Sequence, residues 1–385
     1  MGTIKTVKVT LFFILFLSSF DMHAQMPLLA PYAQSLGASA MLIGVLLSAY
    51  SSSNLVGNLI AGPILDRYSK PFLISGGLFL AGLLLIAQGT VDEFGVLLLL
   101  RFVFGFVMAF VTPACFAMLG ELGRTSIEQG NVMAKNGMVM TIASMVSPVV
   151  GGYLASHAGY HQAFQWFGVI MLVAGAVAIW RLPVRRQKIP LRDSKTAQAG
   201  TVSMSFTKLM LAYLTGFCVL YAQGTLMFEV PLLIERNHLA PSVTGSLFGV
   251  MGVGSLTILS IVALHRIAPQ IRCLVGLGCL GLIMYGLAVG VNFPLQAWML
   301  SLGVCFGMLF PAMSTILTQQ APRESYGTAF SIFSAVLSIG AMTGPLIAGT
   351  INQMSLSFFV AFVFAFLACI LFLWHSIRTN IAESL

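Results

Sequence analysis

Long apolar runs alternate with short polar or charged turns along the whole chain. An α-helix needs about 20 apolar residues to cross the hydrocarbon core of a bilayer. Six runs of this length precede a polar stretch at 183–205, and six follow it. They fall at 9–30, 41–64, 72–90, 95–119, 132–156, 162–181, 207–233, 243–264, 272–291, 295–318, 328–351 and 357–376. The pattern predicts an all-α membrane protein with twelve transmembrane helices.

The two groups of six spans are related by an internal repeat. The segment Gly130–Gly152 matches Gly327–Gly349 at six of 23 positions when the chain is shifted by 197 residues. Pro148 of the fifth span thereby corresponds to Pro345 of the eleventh. Parallel halves of this kind form rocking transporters with the substrate site between them. We therefore expect two pseudo-symmetric six-helix bundles, 1–182 and 206–385, joined by a cytoplasmic linker at 183–205.

Lysine and arginine positions predict the orientation. With both termini in the cytoplasm, 17 of the 19 basic residues fall on the cytoplasmic side, as expected from the positive-inside rule. The first run follows Lys5 and Lys8 and so resembles the start of a signal peptide. Because no small residue stands three positions before a cleavage point near Ala24, we interpret it as the first span.

The composition of the chain mainly excludes other classes of protein. Hydrophobic residues make up 58% of the chain and charged residues 8%, which excludes a soluble globule and a nucleic-acid-binding protein. The six cysteines lie in apolar runs without metal-ligand spacing, so we expect neither a disulfide framework nor a metal site. No nucleophile–base cluster and no GxxxxGK[ST] phosphate-binding loop occurs. The sequence thus predicts neither an enzyme nor an ATP-driven pump.

Three short motifs carry a family resemblance. The turn after the second span reads Gly-Pro-Ile-Leu-Asp-Arg-Tyr-Ser-Lys over 62–70, the fourth span holds Arg101 and Gly105, and the fifth reads Ser-Pro-Val-Val-Gly-Gly over 147–152. Together they resemble the major facilitator superfamily, and the third resembles its drug:proton antiporters. The likeness implies a conformational latch at Gly62, Asp66, Arg67 and Lys70. It also implies a bend that seals against proton leak at Pro148, Gly151 and Gly152.

Ionisable residues within the spans are costly and are therefore functional candidates. Asp21, Arg101 and Glu229 stand out. A rise of about 1.5 Å per residue places Asp21 and Arg101 at nearly the same depth, so they can pair. Burial disfavours a charged carboxylate and a guanidinium favours it, so a change of conformation would alter proton affinity. Asp21 would carry the proton and Arg101 would tune it; alternatively, the pair only fixes helix register.

Two further groups have open roles. Glu229 is a candidate to attract a cationic substrate, to carry a second proton, or simply to pair with Arg236. His23 lies two residues from Asp21 and so projects elsewhere around the helix. It is either a second titrating group or a hydrogen-bonded packing residue. Polar and aromatic residues of the first, second and seventh spans are candidate substrate contacts: Gln25, Tyr50, Asn54, Asn58, Tyr221, Gln223 and Phe228.

These observations lead to one principal hypothesis. The protein is expected to export small amphipathic molecules or drugs in exchange for protons, with the proton gradient as its energy source and no cofactor. A dedicated exporter of a sugar, lipid-linked compound or metallophore, or a proton-coupled importer of the same fold, is the alternative. We expect a monomer in the plasma or bacterial inner membrane, with a small-molecule substrate, protons and the lipid bilayer as its partners.

Overall fold

The structure is a computed structural model, and it describes residues 2–121, 126–182, 206–261, 267–320 and 326–383. All regular elements in these ranges are α-helices. They are α1 (Gly2–Ala24), α2 (Leu29–Ser35), α3 (Ala40–Arg67), α4 (Lys70–Gln88), α5 (Phe94–Glu121), α6 (Ser126–Arg181), α7 (Phe206–Arg236), α8 (Pro241–Ser260), α9 (Pro269–Val289), α10 (Leu295–Gln320), α11 (Tyr326–Ile351) and α12 (Met354–Glu383). The predicted linker 183–205 lies outside the described residues.

Twelve crossings result because α6 contains two of them. Within the described ranges, eleven stretches are long and apolar enough to span a membrane, and one of these runs from Gly137 to Arg181. Inside it, Gly159 has φ 82° and ψ 167°, a conformation that interrupts the helix and that glycine adopts without a steric penalty. The fifth and sixth predicted spans lie on either side of this residue. The predicted all-α fold with twelve transmembrane helices is confirmed.

The first predicted span ends earlier than its apolar pattern indicates. Helix α1 stops at Ala24, and α2 starts only at Leu29. Pro27 lacks the N–H that would bond to the carbonyl of His23, and that carbonyl instead accepts from Met26 N at 3.1 Å. Pro231, the residue at the matching place in the second half, lies inside the continuous helix α7. The break is therefore specific to the first half.

Contacts between Cα atoms divide the chain into two compact units. Unit 1 contains Met1–Ser39, Ala49–Ala197 and Val230–Gly249. Unit 2 contains Ala40–Ser48, Gln198–Glu229 and Val250–Leu385.

In unit 1, α4 packs against α5 and α6, and α1 packs mainly against α6. Small residues allow the close approach that helix association in lipid requires. A Cβ atom placed on Gly82 of α4 would lie 2.8 Å from the carbonyl oxygen of Gly168 in α6. The start of α8 also belongs to this unit. Ser242 N donates a hydrogen bond of 2.8 Å to Ser156 Oγ, so that a side chain of α6 caps the N-terminus of α8.

In unit 2, α9 packs against α10 and α12. The first residues of α3 pack on α11, where Ser48 Oγ donates to the carbonyl oxygen of Met342 at 2.6 Å. The same helix pair meets at glycine, because a Cβ atom on Gly44 would lie 3.2 Å from Cα of Gly349. Gly349 corresponds in the repeat to Gly152 of α6. Each unit therefore contains one close glycine contact made by the same position of the repeat.

Tyr32 holds α2 in unit 1 through its hydroxyl group. It donates to the carbonyl oxygens of Gln88 and Val91, each at 2.9 Å, and its ring packs against those of Tyr160 and Phe164. Burial and nearby Asp92 raise its pKa to about 12. The hydroxyl consequently remains a donor well above neutral pH.

We expect the Tyr32→Phe variant to lose about 1–2 kcal/mol of unfolding free energy, because two carbonyl groups lose their donor. The wild-type advantage should be complete below about pH 10 and should decline as the pH rises through the raised pKa, since ionisation is disfavoured in the folded state. Thermal unfolding of both proteins across pH 7–11 measures this. Equal stability at neutral pH would contradict it.

Candidate functional site

The buried charges of unit 1 are joined by an amide side chain. Gln25 Nε2 donates to Asp21 Oδ2 at 2.8 Å, and Arg101 Nη1 donates to Gln25 Oε1. All three side chains are at least 96% buried. Asp21 and Arg101 are thus close in space, and the amide of Gln25 bridges them. Gln25 is a predicted substrate contact, and its amide here connects the carboxylate of Asp21 to the guanidinium of Arg101.

Aromatic rings surround the other side of the guanidinium. Arg101 Cζ lies 5.1 Å from the ring centroid of Tyr50 and 5.6 Å from that of Phe104. Cations in this position are attracted to the ring faces, more strongly when water is excluded. Gly105 makes the arrangement possible, since a Cβ atom there would lie 2.6 Å from the carbonyl oxygen of Tyr50. Gly105 therefore lets α3 pack closely on α5, and this close packing places the Tyr50 ring beside the Arg101 guanidinium.

Two atoms in the hydrogen-bonded chain of Asp21, Gln25 and Arg101 keep unused hydrogen-bonding capacity. Asp21 Oδ1 and Arg101 Nε have no hydrogen-bond partner among the described residues. Buried polar atoms without protein partners are usually satisfied by water or a ligand, because leaving them bare costs about 1–3 kcal/mol. A proton or a water molecule bound at Asp21 Oδ1 would complete the chain without breaking its existing bonds.

Gln25 lies at the break between α1 and α2. This residue lies in the turn that follows Ala24, and its N–H still bonds to the carbonyl of Asp21 at 3.3 Å. Gly151 of α6 fits directly against this helix end, because a Cβ atom on it would overlap the Ala24 carbonyl group and lie 2.8 Å from its carbon. A larger residue at 151 would push away the segment that carries Gln25.

The next residue of α6 contacts a different helix. A Cβ atom on Gly152 would lie 2.6 Å from the carbonyl oxygen of Pro241 and 3.1 Å from Cα of Gly245. Pro148, one turn earlier, presents its carbonyl oxygen to the same glycine of α8. The paired glycines of the fifth-span motif thus serve two neighbours, the end of α1 and the start of α8. The role in sealing against protons stays a prediction.

His23 makes its own hydrogen bond one turn back along α1. Its Nδ1 lies 2.7 Å from the carbonyl oxygen of Ser19. Because a carbonyl oxygen only accepts, Nδ1 is the donor of this bond and carries a hydrogen. The half-buried imidazole takes no part in the chain formed by Asp21, Gln25 and Arg101. Its predicted part in proton coupling is left without a direct contact to that chain.

Of the candidate substrate contacts on α3, Asn54 bonds to α5 and Asn58 bonds to Asn54 within α3. Asn54 Nδ2 donates to the carbonyl oxygen of Gly105 at 3.1 Å, and Asn58 Nδ2 donates to Asn54 Oδ1 at 2.9 Å. Both residues are partly exposed. Tyr50 is half-buried, and its ring lies against the guanidinium of Arg101. These side chains stabilise the α3–α5 contact, and the amides keep further hydrogen-bonding capacity for a substrate.

The remaining candidates lie in unit 2 on α7. Tyr221, Phe228 and Glu229 are each at least 98% buried, and Gln223 is half-buried. The ring of Tyr221 packs edge-on to Phe364 with centroids 4.8 Å apart. Tyr221 therefore belongs to an aromatic contact between α7 and α12. Glu229 remains a buried ionisable group whose function is a prediction.

The predicted latch connects α3 to α4. Arg67 ends α3 and is exposed, and Lys70 begins α4. Only two residues separate them. The surroundings of Gly62 and the side chain of Asp66 lie outside the described part of the structure, so the latch stays a prediction.

Sequence reasoning missed the bridging role of Gln25 and the ring of Phe104. Both had a signal in their spacing. Gln25 follows Asp21 by four residues, and Phe104 follows Arg101 by three, and residues so spaced share a helix face. The contact of Tyr50 with Arg101 joins two helices and had no such local signal.

A helical chain that crosses the membrane twelve times and buries a linked acid, amide and guanidinium among its helices has the construction of a polytopic membrane transporter. The model of the Major Facilitator Superfamily matches residues 11–310 and 275–383. The chain therefore belongs to this superfamily, whose members transport small molecules across membranes and are not enzymes.

Named relatives agree with this assignment. The chain is 24% identical over 353 residues to the inner membrane transport protein YajR of Escherichia coli (strain K12), covering 88% of this chain and 75% of YajR. It is 23% identical over 355 residues to the multidrug resistance protein MdtG of Rahnella sp. (strain Y9602), covering 88% and 84%. A bacterial homologue of the human lysosomal transporter Spinster has the same fold, with a TM-score of 0.80, 16% identity and coverage of 99% and 98%.

Proposed function

We propose that the protein is a proton-coupled exporter that exchanges small amphipathic molecules for protons by alternating access. The observation that carries this proposal is the buried chain of Asp21, Gln25 and Arg101. A carboxylate placed this deeply among apolar helices is costly unless it is paired or protonated. Its open oxygen Oδ1 provides the place where a proton can bind.

The proposed cycle follows from the electrostatics of this chain. Protonation of Asp21 removes the negative charge that Arg101 faces through Gln25, and conformational change alters how far each group is buried. The interaction with Arg101 and the degree of burial both set the proton affinity of Asp21, so this affinity would differ between the two access states. Substrate that favours the deprotonated state would then expel the proton, and a proton would later expel substrate. Halves 1–182 and 206–385 would form the two moving bundles.

The names of two relatives support particular parts of this proposal. The relative MdtG is named for multidrug resistance, which agrees with export of chemically diverse amphipathic compounds. The relative YajR is named as an inner membrane transport protein. Together with the basic residues on one predicted side, this favours an inner-membrane protein with both termini in the cytoplasm. We propose that it acts as a monomer.

Transport in proteoliposomes with an imposed pH gradient tests the function. The fluorescent cation ethidium and an uncharged amphipathic dye serve as probes. We expect dye to move against its gradient toward the acidic compartment, and collapse of the gradient with a protonophore should stop it. Accumulation in the opposite direction would instead indicate an importer. Dye-independent proton flux with no response to a panel of drugs would favour a dedicated metabolite exporter.

A further inference from the structure

Arg272 is a buried arginine at the start of α9, in unit 2. Its side chain is 5% exposed. Its Nε has no hydrogen-bond partner among the described residues. Arginine is rarely buried without a carboxylate or other acceptor, because stripping water from a guanidinium is costly. A group that completes its hydrogen bonds is therefore expected at this place.

The backbone at this helix end also offers donors. The N-cap residue Ala268 has no side chain that caps the helix, Pro269 follows it, and the first turn holds no acidic residue. Arg272 N is the first amide to bond within the helix, to the carbonyl of Ala268 at 3.1 Å. The N–H groups of Gln270 and Ile271 precede it and have no acceptor within the helix.

We infer that the guanidinium lies near the same helix end as these amides. Side chains of an α-helix lean toward its N-terminus, so Arg272 extends back over the first turn. The positive end of the helix dipole lies there as well. A cation at that end is destabilising by itself, whereas an anion is stabilised by the dipole, the amides and the guanidinium together.

The position in the first half that corresponds to Arg272 is filled by an aliphatic residue. Helices α4 and α9 begin 199 residues apart, and the same shift relates Gly77 to Gly276, two glycines that each pack against the following helix. Leu73 of α4 then corresponds to Arg272. Leu73 is half-buried. An aliphatic side chain thus fits the matching place in the first half, and the arginine in the second half serves a different purpose.

We propose that Arg272 and the first turn of α9 bind a phosphate-type oxyanion. A guanidinium can hold two oxygens of such a group with parallel hydrogen bonds, and the amides of Gln270 and Ile271 can hold a third. The group comes from an anionic phospholipid headgroup or from free phosphate. The apolar neighbours Ile267 and Ile271 are 41% and 54% exposed, as expected for residues that contact lipid tails beside a headgroup.

Thermal unfolding of the purified full-length protein in detergent tests the site. The added probes are phosphatidylglycerol, phosphatidylcholine as the uncharged-lipid control, and inorganic phosphate against chloride at equal ionic strength. Near saturation, phosphatidylglycerol should raise Tm by about 5 °C more than phosphatidylcholine does. In the Arg272→Leu variant, which carries the residue of the first half, this difference should disappear. The Arg181→Leu variant removes an exposed arginine stacked on Trp180 and should keep it.

The outcomes separate the two sources. Stabilisation by inorganic phosphate that is equal with or without lipid, and is lost in Arg272→Leu, assigns the site to free phosphate. If Arg272→Leu does not fold, Arg272→Lys replaces it and should lower the response at least threefold, since an ammonium group cannot hold two oxygens in a fork. A wild-type protein that responds to neither probe, or a variant that responds as the wild type does, overturns the proposal. The outcome is independent of proton coupling.

Discussion

Replacing Asp21 with asparagine is expected to abolish proton release driven by substrate while leaving the protein folded. Asparagine keeps an oxygen that can accept from Gln25 Nε2, so the bridge to Arg101 remains, but the side chain no longer titrates. Proteoliposomes loaded with a pH-sensitive dye measure proton release after addition of ethidium. Uphill ethidium transport should disappear, whereas downhill exchange should continue, because only coupling requires the titrating group.

The Asp92→Asn variant is the matched control. Asp92 is an exposed carboxylate in the turn before α5, and the same change there removes a charge without affecting the buried chain. Its proton release should equal that of the wild type. Full coupling in Asp21→Asn would refute the assignment of the proton to this residue and would direct attention to Glu229. Loss of coupling in both variants would show that the effect arises from charge in general.

The Gly151→Ala variant is expected to lose about 1–3 kcal/mol of unfolding free energy and to transport poorly even where it folds. The added Cβ would overlap the carbonyl group of Ala24, and neither backbone can move without separating α1 from α6. The displaced helix end carries Gln25, so the link between Asp21 and Arg101 should loosen. Thermal unfolding gives the stability, and uphill dye transport per folded molecule gives the activity.

The control comes from the same helix. A Cβ atom on Gly137 would meet no atom within 4 Å, so Gly137→Ala changes the same residue type without steric overlap. Since alanine favours a helix more than glycine does, this variant should be as stable as the wild type or up to about 1 kcal/mol more stable. Equal behaviour of the two variants would show that close packing at Gly151 is unimportant.

The sequence predicts the span count well because lipid imposes a simple rule on each segment. A crossing helix must be apolar over about 20 residues, and that requirement appears directly in the pattern. Arg101 and Asp21 were found for the same reason, since a charge within an apolar run is conspicuous. The rise per residue of a helix predicts a similar depth for the two residues, which agrees with their bridging by Gln25.

Features that depend on neighbours were not visible in this way. Pro27 breaks the first helix whereas Pro231 does not break α7, although both stand in apolar runs. The stacking of Tyr50 on Arg101 depends on the space left by Gly105. Such contacts are set by which helices meet, and hydropathy along one helix carries no information about its partner.

The two glycines at 151 and 152 have a consequence for how movement travels through unit 1. Consecutive residues of a helix project about 100° apart, so this one peptide touches α1 with one residue and α8 with the next. Any roll of α6 about its axis must change both gaps at the same instant. No flexible side chain stands between these backbones to absorb the displacement. Movement of α6 therefore couples the surroundings of Gln25 to the first turn of α8.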